Sequence, residues 1–188
     1  AVPEMVSGTV PADVLCGELT THADARGSVT EIFRVTWPGA PELPQWNYVR
    51  GVANSMRGLH VHMEHSDFIV VIEGEMWLAL AEARKDRPRA AGIARLRGDR
   101  MSWVFIPPGV AHAFYTPSGY TLVYGQTHTW HPGDEIGCRW DDPGNGLQWP
   151  PIGNPVAPPG STWSTPVLGS IEVGGWRETR RSIHKSWW

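Results

Sequence analysis

The stretch from His60 to Gly74, HVHMEHSDFIVVIEG, decides how this chain is read. It opens with histidines at i and i+2 and runs on through Phe68, Ile69, Val70, Val71 and Ile72. Aromatic and β-branched residues of this kind fit a pleated, buried surface. Side chains on a strand alternate between its faces, so His60 and His62 point the same way. The Gly74-Glu75 pair punctuates the run and predicts two strands around a turn.

Working outward, the neighbours repeat the pattern. SVTEIFRVTW (28–37), MRGLHVH (56–62), IARLRGD (93–99), MSWVFIPPG (101–109), AHAFYTP (111–117) and YTLVYGQTHTW (120–130) read as short strands between Gly and Pro signals. KDRPRAAG (85–92) reads as a polar hairpin tip, and no sustained helical periodicity interrupts the series. The expectation is an all-β sandwich or barrel. From about Pro150 the texture changes to PPIGNPVAPPGSTWSTP. This divides the chain into a barrel over residues 1–150 and a Pro/Gly/Trp-rich arm over 151–188 packed on it.

The bulk composition narrows the function classes. A net charge of -3 offers no basic field for nucleic acid or an anionic membrane. Cys16 and Cys138 are too few for a disulfide framework, which fits a reducing, cytoplasmic setting. No apolar run approaches the roughly 20 residues a membrane span needs. Eleven tryptophans are too many for one core, so some are expected to line a pocket or a subunit contact.

The chemistry begins with the histidines. Asp67 follows His62 by five residues, and the Pro-Pro-Gly turn of GDRMSWVFIPPGVAH (98–112) delivers His112. Three imidazoles and a carboxylate from neighbouring strands suit one divalent transition metal (Fe, Mn, Ni, Cu or Zn) better than Ca or Mg. Glu64 and His65 fall out of register and read as a solvated turn, while His128 and His131 read as pocket rim.

HVHMEHSDFIVVIEG and PPGVAH resemble the two motifs of the cupin superfamily, with Asp67 where cupins usually carry Glu. That resemblance implies a jelly-roll β-barrel and His60, His62, Asp67 and His112 as metal ligands. A second resemblance covers about residues 24 to 150. DARGSVTEIF, VRGVANSMRGLH, FIPPGVAHAF, LVYGQTHTWHP and CRWDDPGNGLQWP look like the dTDP-4-dehydrorhamnose 3,5-epimerase family, itself a cupin-fold branch. It implies a homodimer with the site inside the barrel and the partner's N-terminal strand reaching over it. It also implies His60 as the base, Tyr124 as the acid and His112 as an active-site histidine. Arg57 and Arg26 would meet the sugar nucleotide, Trp130 stands for the second aromatic of the family's YY pair, and Trp103 is a further candidate for substrate contact.

The departures set the choice. The family has H-x-Q where this chain has His60-x-His62, and an enolate-stabilising Lys where this chain has Asp67. The Asp that orients the family's base falls near PVLGSIE, where Glu172 is the nearest acid. These changes favour a metal-dependent cupin enzyme acting on a small oxygenated or carbonyl metabolite, in secondary metabolism and with no organic cofactor. Two alternatives stand beside it. One is a metal-free 3,5- or 3-epimerase of a dTDP-4-keto-6-deoxy sugar, and the other is a ligand-binding cupin without turnover.

Overall fold

A computed structural model describes residues 4–157 of the chain. Those residues are all β, with three single-turn 3-10 segments and no α-helix among them. No helix among the described residues is long and apolar enough to cross a membrane. In one layer, β1 (Glu4–Gly8), β8 (Ala91–Arg97), β7 (Asp67–Glu82), β10 (Val110–Thr116), β6 (Ser55–His62) and β12 (Glu135–Gly137) lie side by side. In the other, β2 (Leu15–Glu18) pairs with β9 (Ser102–Ile106), then come β7 again, β11 (Tyr120–Gln126) and β5 (Gln45–Gly51). Every one of these pairings is antiparallel. This is the jelly-roll barrel expected from the sequence.

The two layers join through β7. Its first half, from Asp67, pairs with β9 and β11, and its second half, from Glu75, pairs with β8 and β10. The predicted pair of strands is therefore a single 16-residue strand. It turns the corner at Gly74, whose φ of 74° lies in the left-handed region. A Cβ there would sit 2.1 Å from the Gly119 carbonyl oxygen. Gly74→Ala is expected to lower stability by about 2–3 kcal/mol, from backbone strain plus the clash. Thermal melting of the variant measures it.

Alternation along the strands sorts the core. Ile69, Val71, Leu78, Leu80, Leu96, Val104, Ile106 and Leu122 fill the barrel interior. Met56, Leu59, Val61, Ala79, Ala81, Ala111 and Ala113 face outward from the first layer. Trp140, Leu147, Trp149 and Ile152 cover that outer face, so the tryptophans of CRWDDPGNGLQWP shield the sheet. Asn145 ties their loop down by donating to the carbonyls of Arg139 and Trp140.

SVTEIFRVTW departs from its strand reading. Only Ser28, Val29 and Thr30 extend, in β4 (Gly27–Thr30), which pairs with β3 (Thr21–Asp24). The chain then leaves the sheet because Phe33 joins an aromatic cluster with Trp37, Trp46 and Phe68. The β3–β4 hairpin pairs only with itself, whereas β1 and β2 hydrogen-bond to strands of their own chain. Past the barrel, Val156 bridges to Ser55. The arm beyond residue 157, Glu172 included, lies outside the described residues.

Candidate active site

Register assembles the site. β10 sets His112 opposite His60, β12 sets Glu135 opposite His62, and β11 sets Gln126 opposite Asp67. The period of two then aims His60 and His62 together into the barrel. Ring centroids lie 4.3 Å apart for His60 and His112, 5.0 Å for His60 and His62, and 5.2 Å for His62 and His112. The nearest ring nitrogens of the three fall within 4.8 Å of one another, a spacing from which a metal ion can be held.

Asp67 sits against this trio. Its Oδ2 lies 3.4 Å from His62 Nε2 and 3.4 Å from His112 Nε2, so one oxygen faces both rings. The other nitrogen of His112, Nδ1, donates to the Val110 carbonyl at 3.2 Å. Burial pushes the Asp67 carboxyl up, but hydrogen bonds from His112 and His65 and the field of His62 outweigh it and hold it well below the usual carboxylate range.

His60 differs from the rest of the cluster. His62, Asp67 and His112 are buried, while His60 is only partly buried. Burial, then the neighbouring His112 and His62, push its pKa well below the ordinary imidazole value. It is therefore unprotonated at neutral pH. Burial likewise lowers His62, to about 3. Tyr124 moves the opposite way. Burial, Asp67 and Glu135 raise its phenol above the usual value, so it keeps its proton.

The remaining candidates divide. Arg57 acts electrostatically on Tyr120 and Tyr124, and it has no carboxylate partner among the described residues. Trp130 donates through Nε1 to Glu135 Oε2 at 3.2 Å, and the Glu135 carboxyl feels both His112 and Asp67. His60, His62, Asp67, His112, Tyr124, Arg57 and Trp130 thus converge. Trp103 does not. It alternates with the interior residues Val104 and Ile106 and packs against Phe68 on the outer face. Arg26 sits in the exposed hairpin, ion-paired to Asp24 at 2.7 Å and away from this chain's own cluster.

His65 was missed. In place of a solvated turn it is a fully buried ring, bonded to Asp134 through Nδ1 and to Gln126 at 2.7 Å through Nε2. No spacing rule connects His65 with Asp134, which lies 69 residues away. His131 is exposed, pairs with Glu64 at 3.2 Å and stacks on His128.

A jelly-roll barrel with imidazoles, a carboxylate and a phenol gathered inside it is a cupin-like architecture. Within that architecture the chain belongs to the dTDP-4-dehydrorhamnose 3,5-epimerase family, whose family model matches residues 9–164. It is 36% identical over 108 residues to the dTDP-4-dehydrorhamnose 3,5-epimerase of Methanothermobacter thermautotrophicus, covering 54% of this chain and 56% of the relative. It is 29% identical over 170 residues to that of Neisseria gonorrhoeae, covering 83% of this chain and 52% of the relative. The chain thus spans little more than half the length of these two relatives. Among solved structures the fold matches NovW, a 4-keto-6-deoxy sugar epimerase from Streptomyces spheroides, with a TM-score of 0.74, 22% identity and coverage of 89% and 91% of the two chains. It also matches ChmJ, a 3'-monoepimerase from Streptomyces bikiniensis in complex with dTDP-quinovose, with a TM-score of 0.74, 22% identity and coverage of 85% and 87%.

These findings overturn the metal-dependent reading. Family membership points to epimerases, which work without a metal, so the divalent cofactor and the oxygenation or cyclisation built on it are withdrawn. The placement in secondary metabolism goes with them. The geometry gives the four expected ligands other work. Asp67 directs one oxygen at two imidazoles, and His60 is left as a partly exposed, neutral imidazole.

Proposed function

We propose that this chain epimerises a dTDP-4-keto-6-deoxy sugar at C3, or at C3 and C5. One observation carries the reading. Among His60, His62, Asp67 and His112, only His60 is both partly exposed and held unprotonated. A neutral imidazole takes a proton from the carbon next to a ketone, and the charge passes to the carbonyl oxygen as an enolate. Tyr124, which holds its proton, returns one to the opposite face. Arg57 supplies positive charge to the sugar or diphosphate. The family resemblance adds a homodimer, with the self-paired hairpin and Arg26 reaching the partner's nucleotide. Asp67 replaces the family's Lys without presenting a bare anion, because His62 and His112 cover its Oδ2.

The test is deuterium wash-in from D2O into dTDP-4-keto-6-deoxyglucose, followed by NMR at C3 and C5. Incorporation supports the reading, and no incorporation with several such sugars sinks it. Tyr124→Phe is expected to cut formation of the inverted sugar by about 10- to 100-fold while wash-in on the His60 face persists. Because His60 is depressed, the acid limb of the rate profile is expected below pH 6.5, the ordinary imidazole value. A limb at or above that value contradicts the assignment of His60.

A further inference from the structure

We propose that His65 is a positioning residue, which with Asp134 and Gln126 fixes the Asp67 carboxylate against the reacting histidines. The inference rests on the proposed epimerase site, and four observations support it.

First, the His65 and Asp134 side chains are both completely buried, a setting that demands partners for every polar atom. Second, the partners come from separate elements. Asp134 lies in the turn before β12, Gln126 ends β11 and Asp67 begins β7. Third, the two ring nitrogens divide the contacts. Nδ1 donates to Asp134 Oδ2, while Nε2 faces Gln126 at 2.7 Å and Asp67 Oδ1 at 3.5 Å. Asp67 Oδ1 is buried with no hydrogen-bond partner, and His65 Nε2 lies within ion-pair reach of it when the ring is protonated. The other Asp67 oxygen is left facing His62 and His112. Fourth, the His65 ring lies over His62, with centroids 4.1 Å apart and planes at 29°. It therefore braces one reacting-site histidine by stacking and the carboxylate by contact.

Burial lowers the His65 pKa, but Asp67 and Asp134 outweigh it and raise the group, as expected for a ring held between two carboxylates. Gln126 adapts to this. Its Oε1 is buried and unpartnered, and rotating the amide swaps that acceptor onto Nε2 when His65 carries a second proton.

A purely structural role makes a different prediction. Asp134 Oδ1 also accepts from the backbone amides of Met63 and Glu64, at 2.7 Å each, so Asp134 clamps the 63–65 loop. If His65 served only that clamp, its Nδ1 side would matter and its Nε2 side would not. Two substitutions separate the sides. His65→Asn keeps a donor near the Nδ1 position and loses the Asp67 side. His65→Gln keeps a donor near the Nε2 position and loses the Asp134 side.

The experiment has two readouts. The first is independent of any substrate: ring 15N spectra of His62 and His112, with the melting temperature recorded alongside. His65→Asn is expected to melt near the parent yet shift the Nε2 resonances of both rings. The second is wash-in, where kcat is expected to fall at least 10-fold in His65→Asn at nearly unchanged KM, and less in His65→Gln. Unchanged ring resonances in a folded His65→Asn overturn the proposal, as does His65→Asn outperforming His65→Gln. If His65→Gln fails to fold, the His65→Asn spectra and kcat decide alone. If the parent protein shows no wash-in, the epimerase reading fails, and the ring spectra still report whether His65 holds Asp67.

Discussion

Replacing His60 with Asn is expected to lower deuterium wash-in at C3 by about 10²- to 10⁴-fold, the usual contribution of a positioned base. KM should change little, because the base acts on a proton that moves only in the transition state. Stability should also hold. Among the described residues no carboxylate or carbonyl hydrogen-bonds to the His60 ring, so removing it strands no partner. The contrast is Asp67, whose loss would leave His62, His65 and His112 without their shared carboxylate. Steady-state kinetics in D2O and a thermal melt of His60→Asn check both halves. A variant that melts normally and exchanges at the parent rate removes His60 from the mechanism.

Acid should unfold this protein through the same cluster. His60 and His62 have folded pKa values below the unfolded imidazole value of about 6.5, with His62 at about 3. Below that value the unfolded chain binds protons that the folded chain refuses. Stability therefore rises with pH and is lost as pH falls. Each group contributes up to about 1.4 kcal/mol per pH unit across its window. Asp67 adds to the loss lower down, since the stability its depressed carboxyl gives in full above the unfolded aspartate value is lost as pH falls toward the folded one. His65 works the other way. Its raised pKa adds stability at low pH that is lost as pH rises through the folded value, which offsets part of the slope. The melting temperature should fall steeply from pH 6.5 to 4, and His62→Gln should flatten that slope by about half. A melting temperature flat over that range contradicts the buried, neutral state of the two imidazoles.

The sequence was informative where chemistry is local. The i, i+2 spacing placed His60 and His62 on one face, and PPGVAH put His112 on the strand beside them. It was less informative where tertiary packing decides. Val70 and Met76 look like members of two strands, but Gly74 lets one strand turn between layers without stopping. Ile32 and Phe33 alternate like strand residues, yet Phe33 is drawn into the outer aromatic cluster instead. Trp103 carried no signal for its face until the register of β9 was known. His65 became a core residue only because Asp134 returns to it from the far side of the chain. Asp67 misled most. Its spacing matched a metal ligand, and what it serves is a set of imidazoles.

In the proposed reaction His60 takes a proton from carbon. The most direct measurement is C3 deuterium incorporation into dTDP-4-keto-6-deoxyglucose by protein stripped with a chelator and desalted. Incorporation is expected at the rate of untreated protein, with its loss in His60→Asn. Exchange that disappears on stripping and returns only with added metal, or that survives in His60→Asn, would contradict that role of His60.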